Sequence, residues 1–269
     1  MKILDSKDLE QFSTHGWCMV PGAFTARQAE AACGVVWKRM ADKRGIERAD
    51  PRTWPPAYDI EEHLTDPEVL ACFTDRLAGA IEQLLGAGRW TGERRWGFWP
   101  VNFSYGSDRP EPWPATGWHV DGNWFRHTLD APNQGLLLVG LFTDVPPGAG
   151  GMVVASGSHR RTARVLRANP QGLTHFELFE RVLAEPLDAF CEITGAAGDV
   201  MLGHPFLFHT RGYKRHGAPR ILSNSEVPLR APLALERADG DYSVLERSIR
   251  AALTGAPQPR RDDAMSCRF

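Results

Sequence analysis

Between Trp96 and Val227 the chain cannot sustain long helices. Its apolar residues come in short runs at 97–105, 116–121, 135–144, 152–155, 190–194, 199–202, 207–210 and 221–227, separated by glycine and proline clusters. Short runs punctuated by turn residues predict a mainly β domain, either a sandwich or a jelly roll. The stretch Pro146-Pro147-Gly148-Ala149-Gly150-Gly151 reads as a turn between two strands. One helix is expected inside the series, at 174–183, where Thr174-His175-Phe176-Glu177 has the pattern of a capping box.

The first third follows a helical period. Thr25-Ala26-Arg27-Gln28 is another capping box, and Ala29, Cys33, Val36 and Met40 recur on one helical face behind it. Asp66-Pro67 offers an N-cap and a helix-starting proline. Leu70, Phe73, Leu77, Ile81 and Leu84 then form one stripe that Gly86 can end. Residues 44–63 carry Pro51, Pro55 and Pro56 and show no period, so a long loop is expected there, a candidate substrate lid. A last helix opens at Ser243-Val244-Leu245-Glu246 and ends near Gly255. The tail from Ala256 to Phe269 is expected to be poorly ordered. With no repeat or linker, this describes one domain over 1–269: a helical part (1–90), a β core (about 96–228), and a C-terminal helix and tail (229–269).

Charge and cysteine usage narrow the setting. The net charge is −2 with no basic stripe, so neither nucleic acid nor an anionic membrane surface is an expected partner. No apolar run reaches membrane-spanning length, and Met1 to Asp8 lack the apolar core of a secretory leader. Cys18, Cys33, Cys72, Cys191 and Cys267 are scattered without C-x-x-C spacing, which predicts reduced thiols in the cytoplasm. Trp90, Trp96, Trp99, Trp113, Trp118 and Trp124 fall close together. Most are expected in an aromatic core and a minority at a pocket.

The chemistry sits in His119-Val120-Asp121 and in the later run Gly198-Asp199 to His209. On a strand, His119 and Asp121 point to one side while Val120 faces away. An H-x-D pair and a distant histidine are the ingredients of a two-histidine, one-carboxylate iron site. A lone H-x-D means little, and its weight comes from its surroundings.

Those surroundings resemble the phytanoyl-CoA dioxygenase family of Fe(II)/2-oxoglutarate-dependent oxygenases, from about residue 8 to about 228. The similarity runs through Phe12-Ser13-Thr14-His15-Gly16-Trp17, then Gly117-Trp118-His119-Val120-Asp121-Gly122, then Leu141 to Gly151 and Gly157-Ser158-His159. It closes with Gly198-Asp199 to His209 and Arg220. The resemblance implies a double-stranded β-helix, a cupin-like jelly roll. It implies that His119, Asp121 and His209 hold Fe(II), and that Arg220 binds the far carboxylate of 2-oxoglutarate. A guanidinium suits that task because its planar fork of donors matches a carboxylate. His204 is the nearest competitor to His209, but it aligns with a non-ligand position of the family. His159 is expected to make local hydrogen bonds. The family often carries a small hydroxyl residue two positions after the distal histidine to assist the arginine. Here that residue is Arg211, which leaves Asn102 as a candidate second contact.

The implied activity is dioxygenase chemistry with 2-oxoglutarate and O2 on an aliphatic C–H of a small molecule. Hydroxylation in secondary metabolism, or of an amino-acid or acyl derivative, is the leading expectation. Desaturation, epimerisation or cyclisation with the same cofactors is an alternative. A non-catalytic metal-binding jelly roll is another, and a zinc hydrolase or lyase in the same cage a third. Trp124, Phe125, Arg126 and His127 either face the substrate or form a solvated turn with a buried aromatic.

Overall fold

Local capping signals start the helices. In the computed structural model, which describes residues 2–254, Asp5 caps α1 (Ser6–His15) by accepting from the Lys7 and Asp8 amides, and Gly16 ends it at φ 86°. The Thr25/Gln28 capping box opens α2 (Ala26–Arg44), which buries Ala29, Cys33, Val36 and Met40 as its period predicts. The stripe read as one helix from Pro67 is two helices, α3 (Pro67–Leu70) and α4 (Asp75–Leu85). Thr74 divides them, because its hydroxyl accepts from the Leu77 amide and so caps α4. Asp66 makes no side-chain cap bond.

One helix has no counterpart in the sequence reading. α5 (Ser158–Arg167) follows Gly157 directly, and the residues it buries include Ser158, His159, Arg160 and Thr162. Its inward face is largely polar, so hydrophobic periodicity carries no sign of it. α6 (His175–Val182) and α7 (Val244–Leu253) begin in the expected capping boxes of Thr174/Glu177 and Ser243/Glu246. The expected tail, Ala256 to Phe269, lies outside the described residues.

Among the described residues there are nine strands: β1 (Trp17–Val20), β2 (Ala57–Ile60), β3 (Trp99–Asn102), β4 (Leu136–Leu141), β5 (Met152–Ala155), β6 (Phe190–Glu192), β7 (Val200–Gly203), β8 (His209–Arg211) and β9 (Arg220–Val227). They form an antiparallel sheet of order β1-β7-β4-β9-β3-β2 and a smaller one of order β6-β5-β8. The segment 44–63 is therefore not simply a loop. It holds a 3-10 turn at Pro51–Thr53 and the strand β2, which pairs along its length with β3.

Alternation divides the side chains into two sets. Leu137, Val139 and Leu141 of β4, Met201 of β7, Leu222 of β9, and Met152 and Val154 of β5 meet in one cluster between the sheets. Leu136, Leu138, Val200, Leu202 and Ile221 face the helices in the other. Phe142 joins β4 to β3 by packing 5.3 Å from Trp96 and 4.7 Å from Trp99. Such ring pairs add about 0.5–1.5 kcal/mol each beyond simple burial. Trp17, Trp37, Trp90, Trp96, Trp99 and Trp118 are buried, as an aromatic core requires, whereas Trp124 is 60% exposed.

Cys18, Cys33 and Cys72 are free and buried. Cys191 is disulfide-bonded, which departs from the expectation of thiols throughout. Among the described residues no helix is long and apolar enough to cross a membrane.

Candidate metal centre

The segment 116–121 comes alongside β8, but its backbone bridges to that strand at His119 alone among the described residues. His119 N–H donates to the His209 carbonyl at 3.0 Å, and His209 N–H donates back at 2.9 Å. Gly117 at φ 81° and Gly122 at φ 105° flank the bridge in the left-handed region, so the expected strand shrinks to one residue pair. Directly opposed antiparallel residues project to the same face, which sets the two imidazole rings 4.3 Å apart. Asp121 turns toward both: its Oδ1 lies 3.6 Å from His119 Nε2 and 3.5 Å from His209 Nε2. One ligand atom from each of the three lies within 4.8 Å of the others.

Backbone carbonyls decide which nitrogen faces the centre. His119 Nδ1 is 2.7 Å from the Gly117 oxygen, and His209 Nδ1 is 3.1 Å from the Leu207 oxygen. A carbonyl only accepts, so each Nδ1 carries a proton, and in its neutral form each ring offers the lone pair of Nε2. His209 Nε2 is buried, and Asp121 Oδ1, at 3.5 Å, is too far for a well-formed hydrogen bond, so the atom has no good partner among the described residues. Leaving such an atom unmatched costs about 1–3 kcal/mol, which a bound cation would offset. The His119 side chain, 39% exposed, is the open edge of the group.

The charges agree with a cation site. Burial pushes the Asp121 carboxyl up, but the neighbouring imidazoles, His209 ahead of His119, and a hydrogen bond from Asn224 outweigh it and hold it at about 2. Burial pulls His209 down, yet Asp121 raises it on balance. Burial and then the neighbouring His209 lower His119. An ionised carboxylate beside two imidazoles, with one ring nitrogen orphaned, fits the donor set of a two-histidine, one-carboxylate iron site.

Arg220 begins β9 opposite Asn102 of β3 and on the same face as Leu222, so it points between the sheets. It is buried, and its Nε and Nη1 donate to the Gly150 and Pro100 carbonyls, each at 2.6 Å. Burial and then the charge of Arg211 push its pKa down to about 9; Asp59 and Glu192 oppose this. No carboxylate pairs with it directly among the described residues, as a site for an anionic ligand requires. Asn102 stands beside it, as expected of a helper, but its amide is engaged. Its Nδ2 donates to the Gly212 carbonyl at 3.1 Å, and its Oδ1 accepts from the Tyr105 amide at 3.0 Å.

The other candidates separate cleanly. His204 Nδ1 accepts from the Phe206 amide at 3.1 Å, and its ring lies 4.7 Å from His159, in a buried pair apart from the metal group. His159 lies in α5 and not in a turn, and its contact is long-range rather than local, to the Ser13 carbonyl of α1 at 3.3 Å. His127 and Arg126 bond to the Gly122 and Gly172 carbonyls at 2.9 and 2.6 Å, bracing the segment that leaves Trp124 exposed. Sequence reasoning missed Asn224. It lies two residues after Leu222 on a strand already read as β, and that spacing alone could have placed it inside.

No family model matches the sequence, and no curated protein matches it. Solved structures do. The epimerase SnoN, in complex with Fe3+, alpha ketoglutarate and nogalamycin RO, is 17% identical over 82% of this chain and 82% of its own, with a TM-score of 0.53. The carbocyclase SnoK from nogalamycin biosynthesis is 17% identical over 84% of each chain, at 0.51. HygX from Streptomyces hygroscopicus, with nickel, 2-oxoglutarate and hygromycin B bound, is 17% identical over 89% of this chain and 95% of its own, at 0.52. The chain shares their jelly-roll fold.

Proposed function

We propose that this protein is an Fe(II)/2-oxoglutarate-dependent oxygenase that oxidises an aliphatic C–H bond of a small molecule. One observation carries the reading: His119 Nε2, the orphaned His209 Nε2 and the Asp121 carboxylate converge within 4.8 Å inside this fold. His119, Asp121 and His209 would hold the iron on one face, leaving the opposite positions open. With its cosubstrate and O2, the iron would couple decarboxylation of 2-oxoglutarate to succinate with oxidation of the substrate.

The chain's own part is to hold and orient. The Gly117 and Leu207 carbonyls fix the two imidazoles in their ligating tautomer. Arg220 supplies a buried cation for the far carboxylate of 2-oxoglutarate, already fixed by two backbone carbonyls. Residues 1–269 act as one catalytic unit. The narrower likeness to phytanoyl-CoA dioxygenases rests on the order of the sequence motifs.

Hydroxylation is the leading outcome. SnoN and SnoK, an epimerase and a carbocyclase, support epimerisation and cyclisation as outcomes compatible with this fold. The nogalamycin RO and hygromycin B bound to SnoN and HygX favour a small or medium secondary metabolite as substrate.

Succinate formation tests the proposal. The Fe(II)-loaded protein should convert 2-oxoglutarate to succinate with O2 and not under argon. A zinc hydrolase or a non-catalytic binder gives no succinate in either atmosphere, and that result would defeat the reading.

A further inference from the structure

Arg211 follows His209 by two residues on β8, so both side chains leave the same face of the strand. That face is the inner one, since Met152, the partner of Arg211 in the ladder, belongs to the cluster between the sheets. Asp59 of β2 reaches it from the other sheet and forms an ion pair through Nη2. The Tyr105 ring lies 5.8 Å from its Cζ. The register of β2, β3 and β9 puts Asp59 on the side of the sheet that carries Asn102 and Arg220. Arg211 is therefore half-buried on the inner face, and its charge is felt by both His119 and Arg220.

The neighbouring polar groups are already used. Asn102 is engaged through both ends of its amide. Lys214 Nζ donates to the His216 and Gly217 carbonyls at 2.6 and 3.1 Å. Arg215 donates to the Arg109 and Glu111 carbonyls. Arg211 differs: only Nη2 is bonded among the described residues, so Nε and Nη1 keep their donors. A guanidinium tied at one corner presents the rest of its fork to a second anion.

We propose that Arg211 is a second cationic contact for 2-oxoglutarate, held between the metal triad and Arg220 by Asp59. This rests on the 2-oxoglutarate reading above. Asp59 then has two effects. It positions the guanidinium, and its negative charge competes with the incoming dianion for the same donors. Removing the arginine and removing the aspartate should therefore change cosubstrate binding in opposite directions.

Calorimetric titration of the anaerobic Fe(II)-loaded protein with 2-oxoglutarate tests this. Arg211→Gln should raise Kd about tenfold or more, the size expected for losing a contact to a charged group. Asp59→Asn should lower Kd by roughly threefold, a modest gain suited to a half-exposed pair. Arg211→Lys should fall between the unmodified protein and Arg211→Gln, and Fe(II) affinity should hold in all three. A merely structural ion pair predicts weaker binding in both Asp59→Asn and Arg211→Gln, and that result would overturn the proposal. So would an unchanged Kd in Arg211→Gln. If Arg211→Gln does not fold, Asp59→Asn and Arg211→Lys still decide by the direction of their shifts. If the unmodified protein binds Fe(II) but no 2-oxoglutarate, the parent reading fails, and this inference with it.

Discussion

His119 and His209 exchange both of their backbone hydrogen bonds, at 3.0 and 2.9 Å, and it is this bridge that brings together the imidazoles of two residues ninety positions apart. The bridge fixes the backbones. The carbonyls of Gly117 and Leu207 then fix the rings. Ring orientation, more than proximity, separates a metal site from two neighbouring histidines.

Gly117 is the place to disturb that orientation alone. Its φ of 81° suits glycine, and an added Cβ would lie 3.1 Å from Thr210 Oγ1. Gly117→Ala should shift the carbonyl that aims His119 while leaving the sheets intact. Metal titration should show Kd raised about tenfold or more, the usual effect of losing an outer-shell partner, with an unchanged circular-dichroism spectrum. Equal affinity would mean that His119 needs no such support.

Arg220→Ala should weaken 2-oxoglutarate binding far more than iron binding. Losing one partner of a desolvated charge pair commonly costs about 2–5 kcal/mol, at least a tenfold rise in Kd. Parallel titrations of Fe(II) and of cosubstrate into the variant check this. Unchanged cosubstrate affinity would remove Arg220 from the site.

His159 and His204 predict an acid-sensitive fold. Burial and then Arg160 lower His159 from 6.5 to about 3, and burial with His159 lowers His204 well below 6.5. Both are neutral when folded, whereas the unfolded chain takes up protons below 6.5. Their contribution is therefore fully present above 6.5 and is lost as the pH falls, by up to about 1.4 kcal/mol per pH unit for each. His204→Phe, in a site where His204 stacks 5.9 Å from Phe12, should flatten that slope between 6.5 and about 5. Urea unfolding across this window measures it, and an identical slope in the variant would contradict the assignment.

What could be read from the sequence was local or carried by motif order. The capping boxes at Thr25, Thr174 and Ser243 each open a helix, because their signal lies within four consecutive residues. The H-x-D pair and the distal histidine do come together as their order in the chain suggested. α5 stayed hidden because the face it buries is polar. β2 stayed hidden because an edge strand among prolines is defined by its partner β3, some forty residues away. The segment expected as a lid is tied into the sheet only through Ala57–Ile60, and Asp59 within that strand pairs with Arg211. No local pattern announces that pair, since it depends on how two sheets face each other.

The most direct measurement is an anaerobic Fe(II) titration in the presence of 2-oxoglutarate, followed by the visible metal-to-ligand charge-transfer band. The unmodified protein should saturate at one iron per chain with the band present. His204→Ala should retain both, because His204 lies outside the metal group. His209→Ala should lose iron and band together, since it removes the one buried imidazole nitrogen of the triad that has no other partner. A band that survives in His209→Ala and vanishes in His204→Ala would contradict the account.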